Sequence, residues 1–318
     1  MIALIWRRAL QSLLAIVVAS MILFVLLRLI PGDPAITFAG PDASPEALAA
    51  IRTQYGLDKS IPEQYVIWAD QIMRGNLGTS FATRASVLDY IKPTIVPTLF
   101  LLVGGVAVAL VVGFVLGVGA AVPQRREVDA FLTGFASLLY GAPVFWTGLL
   151  AILLFAVALR WVPVGGFVSP LQDPGAGFKS LILPWLVLGT AMGGSLARFV
   201  RTSFLEVLES DYIRLARAKG ASEARVLRRH ALRNALVPVI TVLGVQIATL
   251  LGGAVIIETI FSWPGLGSLM MNAVNGRDYP TIQVVLLFYV VAFIVINFLT
   301  DVSYTIIDPR IRLSGEAQ

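Results

Sequence analysis

Cysteine is absent from the 318 residues, and histidine occurs only once, at His230. The lack of thiols excludes a disulfide framework, a cysteine nucleophile and a thiolate metal site. A single histidine has no second histidine with which to form a metal site or a proton relay. Charged residues are scarce as well, at 14% of the chain, whereas ordinary soluble domains carry about 25%. With hydrophobic residues at 57%, this composition indicates a protein that crosses a membrane several times.

Motifs for nucleotide chemistry and catalysis are also missing. The sequence contains no Gly-x-x-x-x-Gly-Lys-Ser/Thr phosphate-binding loop. Glycines such as Gly113 and Gly117 lie inside apolar runs, where they favour close packing of helices. Serines occur without a neighbouring base, and the apolar runs contain no paired acids. We therefore expect a protein that is not an enzyme and that binds no cofactor or metal itself.

Six charge-free runs approach or exceed the length that crosses a bilayer, which is roughly 20 helical residues for about 30 Å of hydrocarbon. The runs lack the two-residue alternation of a membrane β-barrel, so they predict six transmembrane helices. The first run exceeds the roughly 7–15 apolar residues of a secretory signal, which favours a retained anchor. The runs are 9–27, 93–124, 130–159, 180–197, 234–257 and 279–300.

Cationic residues gather on one side of these runs. Cytoplasmic loops of membrane proteins are enriched in Lys and Arg. With the N-terminus inside, 15 cations fall in cytoplasmic segments, whereas the two short outer loops hold only Arg160, Lys179 and Arg277. Both chain termini are therefore predicted to lie in the cytoplasm, and Arg198 and Arg201 are expected to extend toward lipid phosphates at that surface.

Residues 31–92 form a long loop that is predicted to be a small ordered cap outside the cytoplasm. Ser44 and Pro45 have the residue types of a helix N-cap and of a first helical position. A second helix is predicted over residues 62–73, and it ends before Gly75.

Nine cationic residues lie within 198–233, between the fourth and fifth apolar runs. Two short helices are predicted there. Asp211 would cap the first, Gly220 would end it in a left-handed conformation, and the second would run from Ser222 to about His230. Charge alone favours a segment that only sets topology. The small residues near Gly220 and the arginines also suit a helix that docks in an acidic or carbonyl-lined groove of a partner.

Residues 212–238, reading YIRLARAKGASEARVLRRHALRNALVP, resemble the cytoplasmic coupling loop of permease subunits in bacterial ATP-driven (ABC) importers. The resemblance is greatest to the dipeptide, oligopeptide and nickel branch. It covers nearly the whole chain, and the cap after the first span is typical of the first of two paired permeases. The chain departs from the wider class at Arg214, where an acid is expected, and at Pro238, which lies further downstream. The other similar stretches are LIPGDP at 29–34, YGLD at 55–58, GNLG at 75–78, ETIFSWPGLG at 258–267 and DPRIR at 308–312.

The resemblance implies an all-α membrane protein with the type I importer permease fold in the inner membrane. It implies import of dipeptides or oligopeptides, with a nickel importer of the same branch as an alternative. A secondary transporter is a further alternative, but it would need ionisable residues in mid-span. The implied partners are a second homologous permease, two cytosolic ATPases that bind ATP and Mg, an extracytoplasmic substrate-binding protein and the lipid bilayer, with no nucleic acid.

The expected site residues form three groups. Glu258, after the fifth run, either contacts substrate or is an ordinary interfacial carboxylate, and Trp263 is expected at the membrane interface. Coupling to the ATPases is expected from Arg214, Ala216, Ala218, Lys219, Gly220, Ala221, Arg225, Arg228, Arg229 and Arg233. The structural motifs are Pro31, Gly32, Asp33 and Pro34 together with Pro264, Gly265 and Gly267. The predicted domains are an anchor (1–30), the cap (31–92), a five-helix core (93–308) with the coupling loop (203–234), and a tail (309–318).

Overall fold

The computed structural model describes residues 2–29, 34–40, 43–123 and 125–307. Regular structure in these ranges is helical, apart from an isolated antiparallel bridge between Thr79 and Ser86. Two π-helical segments, Ile152–Ala158 and Val226–Ala231, adjoin α-helices. The α-helices are α1 (Ile2–Arg28), α2 (Pro34–Ala39), α3 (Pro45–Gln54), α4 (Ile61–Met73), α5 (Val87–Ala121), α6 (Arg126–Gly141), α7 (Val144–Ala151), α8 (Pro174–Leu208), α9 (Asp211–Ala218), α10 (Glu223–Arg225), α11 (Leu232–Ile260), α12 (Leu266–Asn275) and α13 (Tyr279–Ile307).

Five of these helices, α1, α5, α8, α11 and α13, are long and apolar enough to cross a membrane. The pair formed by α6 and α7, with its π-helical continuation, makes a sixth span if it is counted as one. Each predicted apolar run therefore corresponds to a helix or to a broken helix. The helices extend past the runs, and α8 covers 35 residues around a charge-free run of 18.

The run predicted over residues 130–159 is a broken span rather than one straight helix. The axes of α6 and α7 differ by 96°. Pro143 cannot donate a backbone hydrogen bond, and its ring disfavours a helical conformation in the preceding residue. Ala142 accordingly has extended dihedral angles, with φ −73° and ψ 129°. The bend follows from Pro143, whereas the absence of charge in this run indicates only its length.

α5 and α8 form the most extensive helix pair of the bundle. A Cβ atom on Gly113 would lie 2.8 Å from the Leu196 side chain, and one on Gly117 would lie 2.6 Å from Val200. Contacts this short leave no room for any residue larger than glycine, so the two backbones approach closely along α5. This confirms the prediction that these glycines serve close helix packing.

The two ends of the bundle differ in composition. One end, called the basic end, contains α9, α10 and an ion pair at 3.2 Å between Arg8 of α1 and Asp301 of α13. The opposite end, called the cap end, contains α2, α3 and α4. The spans therefore alternate in direction, with α1 running toward the cap end and α13 running back.

The cap helices begin close to where the sequence predicts. Ala47 N donates to Ser44 Oγ at 3.2 Å, as expected for the predicted N-cap. α4 starts one residue earlier than predicted, because Ser60 precedes it and pairs with the side chain of Glu63. The backbone N and the Oγ of Ser60 donate to Glu63 Oε2 at 3.1 and 2.8 Å. The hydrogen bond from the Ser60 backbone to Glu63 is the part of a capping box that satisfies the N–H preceding the helix.

Asp278 connects the cap to the last span. Its side chain is 4% exposed. It accepts hydrogen bonds from Ser80 Oγ at 2.6 Å, Phe81 N at 2.8 Å and Thr281 Oγ1 at 2.7 Å. Ser80 and Phe81 belong to the cap, whereas Thr281 lies in α13. In the sequence Asp278 is recognisable only as the edge of an apolar run. Its partner Ser80 is 198 residues away, so no local pattern predicts the contact.

Candidate functional site

The basic segment at the basic end begins with the short helix α9. Ser210 precedes α9 with extended dihedral angles, φ −67° and ψ 149°, and is therefore the N-cap residue. The prediction that Asp211 caps this helix was wrong by one residue. Asp211 is instead the first helical residue, where a carboxylate interacts favourably with the positive end of the helix dipole.

Gly220 ends α9 in the predicted left-handed conformation, with φ +83°. Gly220 N donates to Arg217 O at 2.9 Å, and Ala221 N donates to Ala216 O at 3.1 Å. This pair of hydrogen bonds is a Schellman motif, which satisfies carbonyls at a helix end. No atom lies within 4 Å of a Cβ built on Gly220. The backbone conformation, rather than lack of space, therefore requires glycine here.

The second helix of the basic segment continues directly into a membrane span. α10 passes through the π-helical segment Val226–Ala231 into α11 without an intervening loop. The prediction that this helix ends near His230 was therefore wrong. Nothing at His230 interrupts helical hydrogen bonding, and Pro238 lies inside α11. The docking segment and the fifth span are one continuous helical unit.

One apolar face seats the basic segment on the bundle. Ile213, Val226 and Ala231 are all 0% exposed. They belong to one hydrophobic cluster with Val200 and Phe204 of α8. Burying side chains of this size stabilises by about 1.5–3 kcal/mol each, less for alanine. α9 is therefore held against α8 and α11.

Two polar contacts connect α9 to the residues that follow it. Arg217 Nε and Nη2 donate to the two carboxylate oxygens of Glu223 at 2.8 and 3.2 Å. Asn234 Nδ2 donates to Tyr212 Oη at 2.8 Å. The Glu223 side chain is 64% exposed, so the ion pair adds little stability and mainly orients the two helices. Neither contact was predicted from the sequence.

The ten residues predicted to couple to a partner lie between α9 and the start of α11, and together they are called the basic surface. Among the cations of the basic surface, only Arg214 forms an ion pair with a described residue, and its partner is Asp211 at 3.6 Å. The remaining cations are open to a partner. Ala216 and Ala221 are half-buried. The exposed members are Arg214, Ala218, Lys219, Gly220, Arg225, Arg228, Arg229 and Arg233.

Arg201 forms an internal ion pair instead of extending to lipid. Its Nε and Nη2 donate to the two carboxylate oxygens of Asp129, each at 2.6 Å. Both side chains are 30% exposed. The guanidinium of Arg198 lies 5.4 Å from the centroid of the Tyr140 ring. The expectation that these arginines extend to lipid phosphates was wrong for Arg201, because its helix α8 packs against α6.

Glu258 lies at the cap end, where it is 0% exposed. Thr98 Oγ1 donates to Glu258 Oε1 at 2.6 Å, and Ser268 N donates to Oε2 at 2.9 Å. The same Thr98 oxygen accepts from Leu266 N at 2.8 Å. Glu258 thus joins α11 to α5 and to the start of α12. A direct contact of Glu258 with substrate stays a prediction, and in this conformation both carboxylate oxygens are engaged inside the protein.

The glycines of the ETIFSWPGLG motif make room for this carboxylate. A Cβ on Gly265 would lie 2.2 Å from Glu258 Oε1, and one on Gly267 would lie 2.8 Å from Oε2. Pro264 stands in the turn between α11 and α12. Trp263 lies inside the protein, and its expected place at the level of the membrane interface stays a prediction. Trp263 is 1% exposed and packs edge to face on Phe167, with ring centroids 5.0 Å apart.

The first structural motif lies mostly outside the described residues. Pro31, Gly32 and Asp33 fall there, as does the DPRIR stretch at 308–312. Pro34 begins α2. Within the residues that the structure describes, no group of three His, Asp or Glu side chains is placed to hold a metal ion.

Residues 113–313 match the family described as the inner membrane component of binding-protein-dependent transport systems. The chain belongs to this family. Residues 1–102 match the N-terminal part of such membrane components. As a member of the family, the chain is a multi-pass inner-membrane protein and a transport component rather than an enzyme. Components of this kind work together with other subunits of an ABC transporter.

Relatives of the same length support this assignment. A probable peptide ABC transporter permease protein of Sinorhizobium fredii is 42% identical, over 96% of this chain and 98% of the relative. A putative peptide transport system permease protein of Brucella abortus is 42% identical, over 98% and 99%. The glutathione transport system permease protein GsiC of Salmonella typhimurium is 39% identical, over 96% and 97%.

A solved structure with the same fold is the MetNI methionine ABC transporter in an inward-facing conformation. One of its chains aligns with a TM-score of 0.55 at 18% identity, covering 68% of this chain and 95% of that chain. At this identity the likeness concerns the fold alone. It confirms the all-α, type I importer permease fold predicted from the sequence.

Proposed function

We propose that this chain is the permease subunit of an ATP-driven importer of dipeptides or oligopeptides and forms half of the translocation pathway. The observation that carries the coupling role is the basic surface, a set of exposed cations on α9 and on the helical segment that continues from α10 into α11. The names of the relatives support peptides as the substrate class. A second homologous permease would complete the pathway, and an extracytoplasmic binding protein would deliver the substrate.

We infer that the basic end faces the cytoplasm, where two ATPase subunits dock on the basic surface. Cytoplasmic loops are enriched in Lys and Arg, and the cations of this surface are mostly without acidic partners in the described structure. Arg225, Arg228 and Arg229 would form charge-assisted hydrogen bonds to acidic groups or carbonyls in the groove of an ATPase. Binding of ATP and Mg would belong to those subunits.

Movement of the docked ATPases would reach the membrane spans through two connections. The first is the apolar seat of Ile213 on α8. The second is the unbroken helical path from α10 into α11. Both connections are short and well packed, so displacement of α9 would tilt α8 and α11 together and would not be absorbed by a flexible loop.

At the cap end, we propose that Glu258 acts as a positioning residue for the start of α12. Its hydrogen bonds connect α5, α11 and the turn before α12, three elements that would have to move relative to one another if the pathway opened there. Glu258 would hold the segment that contains Pro264 and Gly265 in one conformation.

Substitution of Gly220 tests the coupling role. Gly220→Val places a β-branched residue at φ +83°, which such residues rarely adopt. The Schellman turn should distort, and the retention of ATPase subunits during purification and the ATP-driven uptake should both fall by at least tenfold. Gly220→Asn should retain much of both, because asparagine tolerates the left-handed conformation.

Gly75→Val is the matched control for this experiment. Gly75 has φ +79° and also has open space around a Cβ, but it lies in the cap. It therefore introduces similar backbone strain away from the basic surface, and it should leave ATPase retention unchanged. Wild-type uptake and ATPase retention in a membrane-inserted Gly220→Val variant would overturn the proposal.

A further inference from the structure

A cavity of about 430 Å³ lies at the cap end, between the cap and two membrane spans. α1 contributes Arg28, α13 contributes Tyr279 and Gln283, and α4 contributes Gln64 and Trp68. The cavity shares no residue with the basic surface or with the Glu258 contacts. It is therefore a separate site, for which the proposed transport function gives no use.

The charge of the lining favours an anion. Among the described residues, the lining contains the cations Arg28 and Lys59 and neither aspartate nor glutamate. The Arg28 guanidinium lies 5.1 Å from the centroid of the Phe24 ring. Among the residues that the structure describes, no carboxylate pairs with Arg28. A planar guanidinium presents parallel N–H donors that match the oxygens of a phosphate or a carboxylate.

Two amide side chains of the lining have an atom without a hydrogen-bond partner. Gln283 is 9% exposed, and its Nε2 has no acceptor in the described structure. Gln64 donates from Nε2 to Lys59 O at 2.8 Å, whereas its Oε1 has no donor. Buried polar groups in proteins are normally satisfied. Both atoms are buried, so the donors that the cavity offers directly are those of the lining cations Arg28 and Lys59, and the two amides would have to turn to reach a ligand.

The position of the cavity distinguishes a lipid from a soluble anion. Arg28 is the last residue of the membrane-spanning helix α1. Apolar side chains next to it are open to the surroundings, with Leu26 58% and Leu29 68% exposed. The cap helix α4 also presents Met73, at 87% exposure. These side chains provide a surface for acyl chains, and Trp68 and Tyr279 are residue types typical of the headgroup level.

We propose that this cavity binds the headgroup of a glycerophospholipid in the leaflet at the cap end. The phosphate would accept hydrogen bonds from Arg28, and from Gln283 after its amide turns toward the cavity. A hydroxyl or ammonium group of the headgroup would donate to Gln64 Oε1 once that amide has turned in the same way. The acyl chains would lie along the exposed apolar side chains of α1. The bound lipid would join α1, the cap and α13.

Titration with one defined lipid tests this site. The full-length chain, purified in detergent with the subunits that accompany it, is titrated with palmitoyl-oleoyl phosphatidylglycerol, and the bound lipids are counted by native mass spectrometry. One lipid should bind more tightly than all others. Arg28→Gln should raise the dissociation constant of this lipid by about ten- to a hundredfold, which is the change expected when a charge-assisted contact is lost. Arg28→Lys should also weaken it, because lysine lacks the parallel N–H donors of the guanidinium, but by less, because the positive charge remains.

Lys179→Gln is the matched control. Lys179 is an exposed cation near the start of α8, also at the cap end but outside the cavity, so its loss should leave the tight site intact. Gln71→Trp keeps Arg28 and fills the cavity, and it should abolish tight binding in a protein that elutes as a single species. This variant answers the question even if Arg28→Gln fails to fold.

Three results would overturn the proposal. The first is equal lipid binding by wild type, Arg28→Gln and Gln71→Trp. The second is displacement of the tight lipid by millimolar inorganic phosphate. The third is its displacement by millimolar alanylalanine. Displacement by phosphate would assign the cavity to a small soluble anion, and displacement by alanylalanine would assign it to a short peptide.

Discussion

The contact between Thr98 and Glu258 allows a quantitative prediction. Thr98 Oγ1 donates to Glu258 at 2.6 Å and accepts from Leu266 N at 2.8 Å. Thr98→Val removes both hydrogen bonds and leaves the Leu266 N–H and one carboxylate oxygen short of a partner. A buried group left unsatisfied costs about 1–3 kcal/mol. We therefore expect Thr98→Val to lower the free energy of unfolding by about 2–4 kcal/mol.

Glu258→Gln should lower the free energy of unfolding by a similar amount. The amide keeps the volume of the carboxylate, but its NH₂ group must face either Thr98 Oγ1 or Ser268 N, and both now donate to Glu258. Since the two substitutions remove the same contact, the double variant should cost less than the sum. The coupling energy should be about 1–2 kcal/mol, within the range for residues in contact.

Unfolding by dodecyl sulfate in mixed micelles, followed by tryptophan fluorescence, measures these free energies. Thr190→Val is the matched control, because Thr190 Oγ1 donates to Leu186 O at 2.6 Å within the same helix. It should change the free energy of unfolding by less than about 1 kcal/mol. If the costs of the Thr98 and Glu258 substitutions add within about 0.5 kcal/mol, the two residues are not coupled and the reasoning fails.

Three further predictions follow from contacts elsewhere in the chain. Asp129→Asn should destabilise the protein by about 1 kcal/mol in the same assay. Asp129→Arg and Arg201→Asp should each destabilise it as well, and the double variant that exchanges the two charges should recover part of the stability that each single variant loses. A double variant less stable than both of these single variants would contradict the ion pair. Gly113→Leu should cost at least about 2 kcal/mol, because a Cβ there lies 2.8 Å from Leu196, whereas Gly134→Leu, with open space around its Cβ, should be tolerated. Hydrogen bonds from the Ser60 side chain and, to a smaller extent, from its backbone N–H hold the pKa of Glu63 below its ordinary value. This contact therefore stabilises the start of α4 at pH values above the unfolded pKa, and the stabilisation is lost as the pH falls through the folded pKa. Hydrogen-exchange protection of the first turn of α4 should fall with acidification, and Glu63→Gln should remove that pH dependence.

Much of the helical framework could be predicted from charge-free length. A bilayer requires long uninterrupted apolar helices, so the absence of Asp, Glu, Lys and Arg in 279–300 was enough to locate α13. Local backbone chemistry was equally informative at Gly220 and at Ser44. In each case the residue type meets a requirement that its immediate neighbours impose. The bend at Pro143 had a local signal too, which charge counting did not use.

The side-chain partners could not be predicted in the same way. Glu258, Thr98 and Ser268 meet only after α5, α11 and α12 have packed, and no single stretch of sequence contains them. The same holds for Asp129 with Arg201, which are 72 residues apart. Gly265 and Gly267 were recognised as motif residues, but their purpose depends on the carboxylate that lies against them. Tertiary contacts of this kind have no local pattern.

The π-helical segment Val226–Ala231 has a mechanical consequence for the whole chain. A π-turn contains one residue more than an α-turn and closes its hydrogen bonds one residue later. If that surplus residue were taken up into α-helix, α10 would rotate by about 100° around the helix axis and shift by about 1.5 Å relative to α11. Arg225 of α10 would then change its direction relative to α11 through an exchange of hydrogen-bond partners within the helix, and no loop would have to unfold.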